Sequence, residues 1–186
     1  MKTELPGRSD TEVARAFLAH ARALLSADYL PRIERCLDTL AAADIWWRPN
    51  PASNSIGNLL LHLAGNARQW IISGVGGATD TRARASEFAA DESAGLSAAE
   101  LRAHLRATLA EVDAVLARLD PSALLEPRTI QGRAGVTILE AVFHVVEHFS
   151  MHTGQIILLT KQRTARDLTF YDFASGEPRT TWGSSQ

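Results

Sequence analysis

The segment HVVEHFSMHTGQI sets His144, His148 and His152 four residues apart, half of the 6 histidines in the chain. Each residue of a helix advances by roughly 100°, so side chains four apart drift by only about 40° and share a face. Two neutral imidazoles at that spacing reach one divalent cation, as in zinc sites built on helices. The outer two of the three lie about 12 Å apart along the axis, too far to meet on a single ion. One adjacent pair is therefore the chelate, and another helix must complete the site. The bland alternative is that the ladder fills a helical core.

His62 is the natural completing residue. It sits mid-helix in NSIGNLLLHLAGNARQW, between Leu59, Leu60, Leu61 and Leu63. A lone histidine on an apolar helix is more often a satisfied core residue than a ligand. A histidine ladder on a second buried helix reverses that expectation. His20 and His104 have polar neighbours and read as surface residues. Within the ladder, either adjacent pair can chelate. His144-Val-Val-Glu147-His148 matches the H-x-x-E-H pattern of inverted zinc peptidases, with Glu147 activating water. That pattern needs a further ligand downstream, normally a carboxylate on a separate helix. The 38 residues after His148 hold no further predicted helix carrying Glu.

The elements that must position these residues are helical. Ser9 or Asp10 caps a segment to about residue 42, with Pro31 predicting a kink or break near Leu30. WWRPNPASN reads as a loop whose Trp46 and Trp47 pack on the helices. A second helix spans about 54–73, ended by GVGGATD. Residues 74–96 are polar and weakly periodic. Ser97 with Glu100, and Thr137 with Glu140, are capping boxes opening helices over about 97–119 and 137–161. The tail DLTFYDFASGEPRTTWGSSQ lacks helical period, and its aromatics predict packing across the helices. Four helices and little strand signal give an all-α four-helix bundle in one domain spanning 1–186. The link between the second and third helices exceeds what a hairpin needs, so those two run parallel.

At 186 residues the chain is long enough to bury a sizeable core. A net charge of −2 offers no broad basic surface, which argues against nucleic-acid and anionic-membrane partners. Cys36 is the single cysteine, so there is no internal disulfide, and its helical position reads as core rather than nucleophile. MKTELPGRSD has no apolar signal region and no run reaches membrane-span length, which reads as a cytoplasmic protein. An apolar bundle face makes a homodimer an expectation.

NSIGNLLLHLAGN together with EHFSMHTGQI resembles the DinB/YfiT-like superfamily of metal-dependent bundles, and within it a bacterial subgroup carrying the first of those segments. The likeness extends over nearly the whole chain, including SGVGG and the YDFASGEP tail. It implies an up-down-down-up bundle with a three-histidine site, its ligands falling on His62, His148 and His152. The ion it implies is zinc or nickel, and three imidazoles also accommodate iron or manganese. Met151 and Thr153 flank His152 where many relatives carry other residues, which alters the pocket wall.

His144 is then either a hydrogen-bonded core residue or an acid/base on the substrate side. Asn58 and Asn66, one turn either side of His62, either line the cavity or bridge backbone groups. Gln155 is a candidate to support His152, and Glu147 most simply faces solvent. Three neutral histidines leave a coordination position open, as in catalytic zinc sites. The resemblance implies activation of a thiol or water, foremost in an S-transferase using mycothiol, bacillithiol or glutathione with a small-molecule substrate. A bundle that binds metal or a small ligand without turnover is the alternative.

Overall fold

The structure, a computed structural model, describes residues 9–182. Four capping boxes open its long helices: Ser9 with Glu12, Ser55 with Asn58, Ser97 with Glu100, and Thr137 with Glu140. In each, one side chain satisfies an orphan amide at N3 while the N3 side chain returns to the cap, worth about 1 kcal/mol per helix. The helices are α1 (Asp10–Ala23), α2 (Leu30–Thr39), α3 (Ile56–Ala67), the short α4 (Arg84–Ala89), α5 (Ala98–Arg118) and α6 (Ile138–Thr164). π turns extend two of them, over Leu24–Tyr29 between α1 and α2, and over Arg68–Val75 after α3.

Ion pairs and contacts fix the directions. Arg22 pairs with Asp113, Glu34 with Arg106 and Asp38 with Arg102, so α1–α2 runs against α5. Trp46 Nε1 donates to the Leu96 carbonyl, Arg68 pairs with Glu111, and Gly76 lies against Val115. These follow the same order on both strands of contact, so α3 and α5 are parallel. His62 meets His148 while Asn66 meets His144, so α3 and α6 are antiparallel. Val13 and Phe17 share a groove with Leu139, and Asp44 pairs with Arg163, which aligns α1–α2 with α6. The bundle is up-down-down-up, as expected. Its buried side chains form one cluster that includes Ile33, Leu60, Leu105, Ile138 and Phe149. Each contributes about 1.5–3 kcal/mol of burial.

Pro31 does not break the first helix. The chain passes instead through the π turn, where the Leu30 amide donates to the Leu25 carbonyl. Pro31 has no N–H for the carbonyl four residues back. That carbonyl, Ala27 O, accepts from Trp182 Nε1 in the tail at 2.9 Å. Arg32 lies over the rings of Tyr171 and Trp182, and Leu168 is buried beneath. The tail thus packs on the bundle, through a short antiparallel pair β3 (Tyr171–Asp172) and β4 (Arg179–Thr180). Trp182→Phe keeps the ring and removes the donor. It is expected to cost about 1 kcal/mol in urea unfolding, and an unchanged midpoint would show that the contact is idle.

A second hairpin was not expected from the sequence. β1 (Pro127–Ile130) and β2 (Arg133–Thr137) pair antiparallel just before α6. Gln131 and Gly132 both take positive φ, 54° and 74°, which gives the twist that a two-residue hairpin requires. Ile130 seats the hairpin on Gly74, where an added Cβ would lie 2.7 Å from its side chain. No helix among the described residues is long and apolar enough to cross a membrane.

Candidate metal centre

The Ser55–Asn58 box starts α3 and turns His62 inward one turn after Asn58. The Thr137–Glu140 box starts α6 and brings His148 and His152 past it on the crossing helix. The three imidazoles offer ring nitrogens that all lie within 4.8 Å of one another. His62 Nε2 and His148 Nε2 are 2.9 Å apart, and the rings of His62 and His148 stand 5.1 Å and 4.4 Å from that of His152. His62 and His152 are buried and His148 half-buried.

Tautomers decide whether those nitrogens can bind a cation. A ring nitrogen whose partner nitrogen donates to an acceptor presents a lone pair. His62 Nδ1 lies 2.9 Å from Glu87 Oε2, and His152 Nδ1 lies 2.6 Å from Gln155 Oε1. Both outer nitrogens therefore carry the proton, and both Nε2 atoms are left as donors of electron pairs toward the cluster. Arg82 fixes the carboxylate: its Nε donates to Glu87 Oε1 at 2.7 Å and its Nη2 to Oε2 at 2.9 Å. Arg82 Nη2 also lies 3.1 Å from His62 Nδ1. A guanidinium cannot accept a hydrogen bond, so the Nδ1–H of His62 donates to the Glu87 carboxylate. The donor set thus fits a divalent ion bound by three neutral imidazoles, which suits zinc, nickel, iron or manganese.

Electrostatics agree with that protonation. Burial lowers the pKa of His62, against the opposing hydrogen bond it donates to Glu87. Burial also lowers His152 and His144. His148 is pushed down to about 3 by burial and by its neighbours His152, His62 and His144. Burial alone would raise the Glu87 carboxyl, but the hydrogen bonds from Arg82 and His62 outweigh it and hold the group ionised.

These shifts predict acid lability of the metal-free protein. Unfolding restores each imidazole to its ordinary value, so the unfolded chain takes up protons first. Stability is full above about pH 6.5 and is lost as pH falls through the window down to the depressed folded values, about 3 for His148. Chelator-treated protein should show a falling urea midpoint between pH 7.5 and 5. A flat profile would contradict neutral imidazoles.

The remaining candidates separate clearly. Asn58 does not line the cavity. It is fully buried, its Oδ1 accepts from the Ser55 amide and Arg48, and its Nδ2 donates to the Glu87 and Ala90 carbonyls. It is the latch that holds α4 against the start of α3. Asn66 Nδ2 donates to His144 Nε2 at 3.2 Å, while His144 packs on Trp70 and stacks on His148. His144 therefore stands beside the cluster as a hydrogen-bonded neighbour, outside the group of three. Glu147 is exposed, which removes the general base that the inverted-peptidase pattern requires. Cys36 is buried, and burial pushes its thiol up to about 11.

Sequence reasoning missed Glu87 and Arg82. Both lie in the link that read as irregular, and α4 spans only Arg84–Ala89. The signal available was Gly65 on α3, whose missing side chain makes room for the carboxylate: an added Cβ would lie 2.1 Å from Glu87 Oε1.

Residues 30–156 match the family described as the DinB superfamily. The chain belongs to the DinB superfamily. The bundle is similar to a DinB-like protein from Bacillus cereus ATCC 10987, with a TM-score of 0.56 and 19% identity over 73% of this chain and 85% of the other. At that identity the likeness concerns fold. No curated protein matches the sequence.

Proposed function

We propose that this DinB chain is a metal-dependent enzyme that activates a nucleophile, foremost a low-molecular-weight thiol whose sulfur it transfers to a small electrophile, and otherwise water for hydrolysis. The observation that carries the reading is the pair of outer hydrogen bonds, Glu87 on His62 and Gln155 on His152, which aim unprotonated nitrogens into one cluster with His148. His62, His148 and His152 would hold a divalent ion there, which would lower the pKa of a coordinated thiol or water.

The protein's own residues do the rest. Arg82 locks the Glu87 carboxylate, which keeps the His62 proton on Nδ1 and fixes the ring plane. Gln155 does the same for His152 without adding charge. Phe88, 4.7 Å from the His62 ring, shields that side from water. In the transfer itself the thiol proton passes to solvent. The sulfur lone pair forms the new C–S bond as the carbon's leaving group departs with its electrons. A cytoplasmic setting, where small thiols stay reduced, belongs to the same proposal.

The test is thiol consumption with 1-chloro-2,4-dinitrobenzene by metal-loaded and by chelator-stripped protein, using glutathione and cysteine derivatives. Metal-dependent thiol loss is the expected result. One equivalent of tightly held metal with no thiol or ester turnover would instead make the chain a binding protein.

A further inference from the structure

A cleft of about 240 Å³ opens one turn of α6 away from the histidine cluster, between β2, the π turn after α3, and α6. Trp70 and His144 form its inner wall, the β2 residues Arg133 to Val136 its outer wall, and Glu140 its end. Its free volume matches roughly eight water molecules, enough for a small polar molecule. His144 belongs to both cleft and ladder, since its ring stacks on that of His148, 5.4 Å away. One helical turn separates them, about 6 Å along the axis.

Charge in the cleft is unevenly used. Glu140 spends Oε2 on the Thr137 amide and hydroxyl. Among the described residues the Arg133 guanidinium makes no hydrogen bond and no ion pair, although its charge acts on Glu140 and His144 and it lines a cleft with a tryptophan and that histidine. Trp70, on the inner wall, has a buried Nε1 without a partner, as does Oδ1 of Asn66, whose Nδ2 donates to His144. A free guanidinium is a planar, bidentate receptor for a carboxylate. One arginine beside one glutamate suits a single negative charge, because the repulsion from Glu140 acts twice as strongly on a dianionic phosphate as on a carboxylate.

We propose that this cleft is the subsite for a carboxylate-bearing thiol, Arg133 gripping the carboxylate while the sulfur reaches the histidine cluster across His144. The inference rests on the thiol reading above and names the class of thiol. Trp70 and His144, packed together with ring centroids 4.0 Å apart, offer one apolar wall to the aliphatic part between the two ends, and Arg133 sets which thiols are accepted.

The probes are N-acetylcysteine and its neutral amide, added to cobalt(II)-loaded protein and followed by the near-ultraviolet thiolate-to-cobalt absorption. Comparing wild type with Arg133→Gln cancels the difference in acidity between the two thiols. Arg133 is exposed, so the substitution leaves the core and the cobalt content untouched. The expected result is a roughly tenfold weaker apparent affinity for N-acetylcysteine in the variant, with the amide unchanged. Arg133→Lys should fall between, since it keeps charge and loses the fork. Equal losses for both probes, or none for either, overturn the subsite while leaving a thiol at the metal. Absence of the absorption with both thiols, in protein that holds cobalt, overturns the thiol reading and the subsite with it.

Discussion

Replacing His148 with alanine is expected to reduce bound divalent metal from about one equivalent per chain to roughly a tenth or less, as are His62→Ala and His152→Ala. The three nitrogens lie within 4.8 Å of each other, so losing any one leaves two imidazoles and an ion that water can displace. His144→Ala and Glu147→Ala should keep the metal, because His144 spends Nε2 on Asn66 and Glu147 is exposed. Elemental analysis of untagged protein reads this directly, with helical circular dichroism as the check on folding. Loss that followed His144 and His148, with His152 dispensable, would revive the inverted-peptidase arrangement. Wild type free of metal after growth with zinc or nickel would reduce the cluster to core packing.

The second large effect is expected at a residue with no side chain. Gly65→Ala places a Cβ 2.1 Å from Glu87 Oε1, 2.9 Å from its Cδ and 3.1 Å from Arg82 Nε. The carboxylate cannot swing aside cheaply, since two guanidinium hydrogen bonds and His62 hold it. Both partners are almost fully buried, their side chains 9% and 3% exposed. Breaking a buried ion pair leaves charge without compensation, so a loss of about 3 kcal/mol is expected in urea unfolding. Metal affinity should fall by roughly 10- to 100-fold as His62 loses its orienting partner. The sign reverses once the carboxylate is gone. On a Glu87→Ala background, Gly65→Ala should cost little or gain up to about 1 kcal/mol from helix propensity. The same cost on both backgrounds would show that Gly65 is not there for Glu87.

The contrast between His62 and Glu87 shows how far sequence reasoning reaches here. His62 and the ladder were legible because helical periodicity converts a spacing of four into a shared face. Two such faces that cannot both turn outward must meet inside a bundle. Glu87 had no comparable rule. It lies on a helix of 6 residues, too short to show a period, and it reaches His62 only because Asn58 pins the adjoining backbone. Asn58 itself was open to two readings. Its place three residues after Ser55 is a capping-box spacing, and the cap prevailed over the cavity. The β1–β2 hairpin had a visible turn in Gln131-Gly132, but strands of 4 and 5 residues are too brief to alternate convincingly. Pro31 signalled a disturbance, and the carbonyl it leaves free, Ala27 O, finds its partner more than a hundred residues away. Sequence local to Pro31 does not contain Trp182.

Parallel α3 and α5 oblige the chain to travel the length of the bundle between them, and that return strap is where Arg82 and Glu87 ride. The three imidazoles and the Gln155 that orients His152 therefore belong to the helical frame, while the partner that orients His62 belongs to the strap. Substituting strap sequences into one unchanged frame would vary the basicity of His62 as an independent dial. Descendants of such a bundle can drift in reactivity while every ligand stays in place.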